Sequence, residues 1–272
     1  MLFSRLEDLL ASFPSLLVAY SGGVDSALLA VAARRVLGRA RSIAAIGVSP
    51  ALPADQLEQA RAIARQFDLQ LVEIETGELD DPQYVANSTE RCYFCKRELW
   101  SKLRAVAAAR GTAVIADGTN ADDLSTHRPG LRAACEFDIR SPLAQAGYTK
   151  DDVRAEARAL GIPIWNAPAA PCLSSRVRYG LAVTAERLRQ VEKGEAYLRK
   201  LGVEGDLRVR HRDDEARIEV APSQFDGIRR ERAAIAAEFS NLGFSRVSLD
   251  LAGYRRGSQL AAAEPDVELL SG

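Results

Sequence analysis

Short apolar runs alternate with amphipathic stretches along the first half of the chain. Leu16 to Tyr20 reads as a buried strand, and Ser26 to Leu37, rich in Ala and Leu and closed by Gly38, as a helix. Ile43 to Val48 is a second strand. Pro53 and Asp55 open a helix that runs to about Phe67, and Leu69 to Ile74 is a third strand. Lys96 to Arg110 predicts a helix stopped by Gly111, and Ala113 to Asp117 a fourth strand. Strand and helix alternating at this spacing imply a parallel sheet covered on both faces. Asp151 to Leu160 is one more helix. Beyond it, Pro163, Pro168 and Pro171 break regular structure and mark a linker or active-site loop. The last third has another order. Thr184 caps a helix to Leu201, Leu207–Arg210 and Ala216–Val220 form a hairpin around Asp213 and Asp214, Ser223 to Phe239 is a helix, and Arg246 to Leu251 alternates like a strand. The tail after Gln259 reads as frayed, and no fixed-period repeat is visible. The expected class is therefore α/β, with one domain over residues 1–165 and a smaller α+β domain over 166–272.

Composition narrows the partners. The 272 residues carry 36 Lys and Arg against 37 Asp and Glu, a net charge of -1. That excludes a globally basic nucleic-acid coat and an acidic tail protein, though not a local basic patch. No apolar run approaches the ~20 residues of a membrane span. Arg5, Glu7 and Asp8 make the N-terminus too charged for a secretory core segment, so a soluble, cytosolic protein without a membrane partner is expected. Four cysteines make no disulfide framework; in a reducing compartment, paired cysteines bind metal or do chemistry.

The strongest single signal is Ser21-Gly22-Gly23-Val24-Asp25-Ser26, between the first strand and the first helix. The glycines let backbone approach a ligand, and hydroxyls and N–H groups at a helix N-terminus suit an anion. No Lys follows the glycines, so this is not the loop of γ-phosphate-transferring enzymes. It resembles the PP-loop of ATP pyrophosphatases, in which ATP is attacked at its α-phosphate and pyrophosphate leaves. Asp117-Gly118-Thr119-Asn120-Ala121-Asp122-Asp123 lies beyond the fourth strand, where open α/β sheets bind ligands. Asn120 and Asp123 are the bets there, with Asp122 or Asp123 toward Mg²⁺ on the phosphates.

Cys92-Tyr93-Phe94-Cys95 sits just before the predicted 96–110 helix, and its spacing suits a metal, a cluster edge or a redox pair. Cys172, in Pro171-Cys172-Leu173-Ser174-Ser175-Arg176, lies on an irregular segment beside a cation and is the candidate for reactivity. Cys135, between apolar neighbours, reads as a small buried hydrophobe. Arg208 and Arg210 alternate on a strand and so share a face, a geometry suited to a phosphate. Glu195 and Asp226 are candidate acids near them, Trp100 reads as core, and His127 sits in His127-Arg128-Pro129-Gly130.

Together SGGVDS, RCYFCK, DGTNADD with HRPG, PCLSSR, LRVRH and GYRRG resemble the LarE family over about Leu16 to Gly257. The resemblance implies a Rossmann-like PP-loop domain and ATP-dependent sulfur transfer to pyridinium-3,5-biscarboxylic acid mononucleotide, a step in making a nickel-pincer nucleotide. It implies that ATP and Mg²⁺ adenylate a substrate carboxylate, that Cys172 carries or helps deliver sulfur, and that Arg176, Arg208 and Arg210 bind the substrate phosphate. With Cys92, Cys95 and Cys172 all present, it implies a [4Fe-4S] cluster whose open iron holds the donor sulfide; the family's other branch sacrifices a single cysteine. It also implies a homo-oligomer, with a hexamer as precedent. A PP-loop tRNA thiolase, an ammonia-dependent amidating synthetase, a structural zinc protein and an ATP-binding sensor are the alternatives. The neutral charge balance argues against a nucleic-acid partner.

Overall fold

The computed structural model describes residues 2–125, 129–168, 171–255 and 266–271. Contacts divide the chain into two units, Met1–Asp81 with Glu90–Ala170, and Pro82–Thr89 with Pro171–Gly272. A single cut in the sequence cannot express this division, because eight residues from the middle of the first half belong to the second unit.

The first unit opens with helix α1 (Leu2–Ala11), a segment to which the hydrophobic pattern assigned no element. Leu6 and Leu10, one turn apart, are fully buried, so an apolar stripe hides among its charges. Strands β1 (Leu16–Ala19), β2 (Ser42–Val48) and β3 (Leu71–Glu75) alternate with helices α2 (Val24–Leu37) and α3 (Ala54–Gln66). After α4 (Pro82–Val85), which belongs to the second unit, come α5 (Arg91–Ala109) and β4 (Val114–Ala116). Helices α6 (Pro129–Glu136), α7 (Pro142–Ala146) and α8 (Lys150–Ala159) complete the unit. The sheet runs β3-β2-β1-β4, and every pair is parallel. Both of its faces are covered. Leu16 and Val18 of β1 point into a core with α1, α2 and α8, while Leu17 points into a second core around Trp100 and Leu103 of α5. This is the expected α/β layering, and it puts the loops after β1 and β4 side by side at one end of the sheet.

The second unit holds α9 (Ala185–Lys200), β5 (Leu207–Arg212), β6 (Glu215–Val220), α10 (Phe225–Arg230), α11 (Arg232–Asn241), β7 (Arg246–Asp250) and β8 (Val267–Ser271). Its sheet, β5-β6-β7-β8, is mixed, with only β6 and β7 parallel. Alternation sorts it into an apolar face, with Val209, Ile218 and Leu249 packed on Phe239, and a polar face carrying Arg208, Arg210, Arg217 and Glu219. The sequence reading needs three corrections here. The predicted 223–239 helix is two helices meeting at Glu231, which lets Ile228 of one and Ile235 of the other enter the same core. The tail read as frayed contains β8, antiparallel to β7, because a strand edge offers its backbone groups partners that sequence pattern alone does not reveal. And α5 starts at Arg91, so the CxxC pair lies within its first turn rather than before it.

Candidate active site

The loop after β1 wraps the N-terminus of α2. Gly22 has φ of +78°, a conformation only glycine takes freely, and a Cβ there would lie 3.2 Å from the Ala60 Cβ of α3. Ser26 Oγ donates to the Gly23 carbonyl at 3.0 Å and accepts the Ser21 N–H at 3.1 Å, closing the loop on itself. Gln56 of α3 donates to the Ser21 carbonyl at 2.6 Å. Gly23 is the helix N-cap and no side chain caps it, so the positive end of a 14-residue helix stays open to an anion.

The loop after β4 closes against this one. Asp117 accepts the Thr119 N–H at 3.1 Å and hydroxyls from Thr119 and Ser141 at 2.9 and 2.8 Å. Asn120, 3% exposed, accepts the N–H groups of Asp122 and Asp123 and donates its amide to Asp25 at 3.0 Å. Asp123 accepts the Asn120 N–H at 3.3 Å, and Asp122 the Lys150 N–H at 2.8 Å. Ser21, Gly22, Gly23, Asp25, Ser26, Asn120 and Asp123, predicted from two distant motifs, thus sit in one hydrogen-bonded assembly.

Two residues of this assembly escaped the sequence reading. Lys150 Nζ lies 2.5 Å from Asp25 Oδ2, so a cation stands at the glycine loop after all, supplied from α8. Its signal was an anomaly: a lysine at the first position of a helix opposes the helix dipole, and such placement needs an anionic partner. Gly118 is the other. A Cβ on it would lie 2.7 Å from Ser26 N and 3.0 Å from the Asp25 carbonyl carbon, both backbone. Among the described residues no group of three or more His, Cys, Asp or Glu side chains converges on a metal. A metal at the glycine loop would draw most of its ligands from phosphates and water, which suits Mg²⁺ held by one or two carboxylates.

The second unit gathers Cys172, Arg176, Glu195, Arg208 and Arg210. Arg176, 3% exposed, donates from Nε and Nη2 to Glu195 at 3.0 and 3.1 Å, and from Nη1 to the carbonyls of Pro171 and Cys172. Cys172 is half-buried, and its carbonyl also accepts the Ser175 N–H and hydroxyl. Glu195 takes the Val209 N–H at 3.0 Å, which ties α9 to β5. Arg210 pairs with Glu219 at 2.7 Å and donates to the Ser175 carbonyl. Burial, together with the charges of Arg176 and Arg210, pulls the Arg208 guanidinium below its ordinary pKa. Arg208 lies 5.2 Å from the Tyr254 ring, so the LRVRH and GYRRG segments meet. Asp226 is not part of this group: its side chain is 91% exposed on α10 and pairs with Arg229.

None of the cysteines is in a disulfide. Cys92 and Cys95 stand one helical turn apart on α5 and so share a face. Cys135 corrects the reading: it is exposed, because α6 turns Ala133 and Ala134 inward instead. Trp100 is fully buried as expected. His211 points to the apolar face and bonds to Gln190 at 2.8 Å; burial, with the Arg187 charge, pushes its pKa down to about 4. His127, Arg256 and Gly257 lie outside the described residues.

Parallel strand, glycine loop and open helix end, braced by Asn120 and Lys150, make the arrangement of a PP-loop. Comparison with known proteins agrees. The NAD synthase family model matches residues 6–113. An uncharacterized protein of Synechocystis, slr1717, is 44% identical over 94% of this chain and 97% of its own. The pyridinium-3,5-bisthiocarboxylic acid mononucleotide synthase of Lactiplantibacillus plantarum is 35% identical over 88% and 87%. The uncharacterized protein MJ0830 of Methanocaldococcus jannaschii is 32% identical over 88% and 90%. The chain belongs to the LarE family, ATP-dependent sulfur-transferring enzymes of the PP-loop superfamily. Among the described residues, no helix is long and apolar enough to cross a membrane.

Proposed function

We propose that this enzyme converts a carboxylate of pyridinium-3,5-biscarboxylic acid mononucleotide to a thiocarboxylate, on the way to a nickel-pincer nucleotide. The observation that carries this reading is the extent of the match to the Lactiplantibacillus synthase, 35% identity over 88% of this chain and 87% of the relative. The chemistry runs in two steps. A substrate carboxylate oxygen attacks the α-phosphorus of ATP, and pyrophosphate leaves. A sulfur nucleophile then attacks the acyl carbon of the adenylate, and AMP leaves. The α2 N-terminus, Ser21, Ser26 and Lys150 would hold the departing pyrophosphate, and Asp122 or Asp123 would hold Mg²⁺, which would supply positive charge to the phosphates. Arg208, Arg210 and Arg176 take the substrate phosphate. An anion there would relieve the buried, mutually repelling guanidinium groups.

Cys92, Cys95 and Cys172 are the donors we assign to a [4Fe-4S] cluster. Bound there, such a cluster keeps one iron free of cysteine and supplies a sulfide for transfer. In the same reading the enzyme is cytoplasmic and works as a homo-oligomer. Anaerobically purified protein is expected to hold about four iron and four acid-labile sulfide per chain. With ATP, substrate and sulfide it should form more than one thiocarboxylate per chain. A single turnover that leaves dehydroalanine at position 172 would instead identify a sacrificial Cys172. Sulfur incorporated into tRNA, or ammonia into a carboxylate, would overturn the substrate assignment.

A further inference from the structure

The glycine loop is held from outside its own motif. The Ser21 N–H is bonded to Ser26 within the loop, but the Ser21 carbonyl accepts at 2.6 Å from Nε2 of Gln56, 35 positions on and in the first turn of α3. One turn further along α3, the Ala60 carbonyl accepts the hydroxyl of buried Tyr20 at 3.2 Å. Helix α3 thus splints residues 20 and 21. The bond to Gln56 fixes orientation as well as position. Across a trans peptide the C=O and the following N–H point in opposite directions, so a Ser21 carbonyl turned toward Gln56 sends the Gly22 N–H the other way. That N–H has no hydrogen-bond partner among the described residues. Gly22 does not choose this orientation itself. Glycine takes φ of either sign at little cost, so the Ser21–Gly22 peptide plane can turn over unless something holds it. The Gln56 amide gives up a bond in holding it. A carbonyl can accept only from the NH₂ end of the amide, and Oε1 is left buried with no partner among the described residues.

We propose that Gln56 is a positioning residue for the adenylation step: it keeps the Ser21–Gly22 peptide turned so that the Gly22 N–H, and not the Ser21 carbonyl, faces the pyrophosphate group of the nucleotide. With the plane turned over, a carbonyl oxygen would stand beside an anion and repel it, and one donor would be lost. Held as it is, the donor is in place before the charge arrives, which is the form of electrostatic help that needs no rearrangement during reaction. The proposal rests on the reading of the glycine loop as the pyrophosphate seat.

The test titrates inorganic pyrophosphate with Mg²⁺ into the full chain by calorimetry, for the parent, Gln56→Met and Gln56→Glu, at about pH 8 and about pH 5.5. Met keeps the length and removes the donor. It should bind pyrophosphate about tenfold more weakly than the parent at both pH values, with the melting temperature kept. Glu should be the weakest of the three at the higher pH, where its carboxylate faces a carbonyl oxygen with no proton to give. That oxygen and the neighbouring Asp55 raise the new carboxyl's pKa. At the lower pH it is protonated, donates to Ser21, and should bind pyrophosphate more tightly than Met. Asp55 and the Asp25–Lys150 pair, the charged groups of the loop, are the same in all three proteins, so a reversal of rank belongs to the donor. Gln56→Met binding within about twofold of the parent, or Gln56→Glu never overtaking it, would overturn the role of Gln56. Should Gln56→Met fail to fold, Gln56→Glu decides alone: its affinity relative to the parent should recover about fivefold at the lower pH, and an unchanged ratio would overturn the proposal. A parent that binds no pyrophosphate would overturn the reading of the loop itself, and with it the proposal.

Discussion

The glycine-loop site and the arginine site are built on opposite principles. The first is mostly backbone. Gly22 and Gly118 allow close approach, an uncapped helix end supplies partial charge, and one cation, Lys150, is held by Asp25 at the rim. The second is mostly side chain. Arg176, on the turn after Cys172, pairs with Glu195 of α9, and Arg210 of β5 pairs with Glu219 of β6; in each pair one partner is buried and the other half-buried. A backbone site tolerates loss of charge better than loss of space. A buried charge site tolerates neither partner's loss, because the remaining ion keeps its desolvation cost.

The sharpest way to break that contrast is Glu195→Gln. It leaves Arg176 buried against a neutral partner and should cost about 3–5 kcal/mol in urea unfolding. A loss below about 1 kcal/mol would mean that the pair is not the second unit's keystone. Next is proton linkage at His211. Burial holds it at about 4 in the folded chain, against about 6.5 unfolded, so the unfolded chain binds more protons between those values. Stability is therefore full above pH 6.5 and falls as pH drops toward 4, by an amount on the order of 3 kcal/mol. His211→Gln should flatten that part of the profile, and an unchanged profile would locate the acid sensitivity elsewhere.

In the first unit, Gly118→Ala drives a methyl into the Asp25–Ser26 backbone. Pyrophosphate release should fall roughly a hundredfold in kcat/KM through lost positioning. Activity within threefold of the parent would show that the loop can yield. Lys150→Met removes charge but little bulk, and should raise the KM for ATP about tenfold, or 1.4 kcal/mol, with the melting temperature kept. A fall in melting temperature at unchanged KM would make the Asp25 pair purely structural. The smallest effect is expected at Asp226→Asn, whose exposed pair with Arg229 is worth under about 1 kcal/mol of stability. Its activity is the informative readout, since any large loss must come from substrate contact rather than folding.

Sequence alone determined the alternating α/β order, the glycine loop, the loop after β4, the hairpin bearing Arg208 and Arg210, and the family. Each of these is local: a turn, a helix end or a strand alternation is specified by neighbours within a few residues. Three kinds of feature were decided only by tertiary structure. Lys150 reached the glycine loop from 125 positions away, Glu195 and Glu219 became the partners of Arg176 and Arg210, and residues 82–89 joined the other unit. β8 and the exposed Cys135 belong with them, since a strand needs an edge to pair with and a cysteine's burial depends on which face its helix turns inward. No local pattern encodes which distant group will satisfy a buried donor or charge. That choice is made when the chain packs, because a polar group taken out of water must find its partner wherever the fold supplies one.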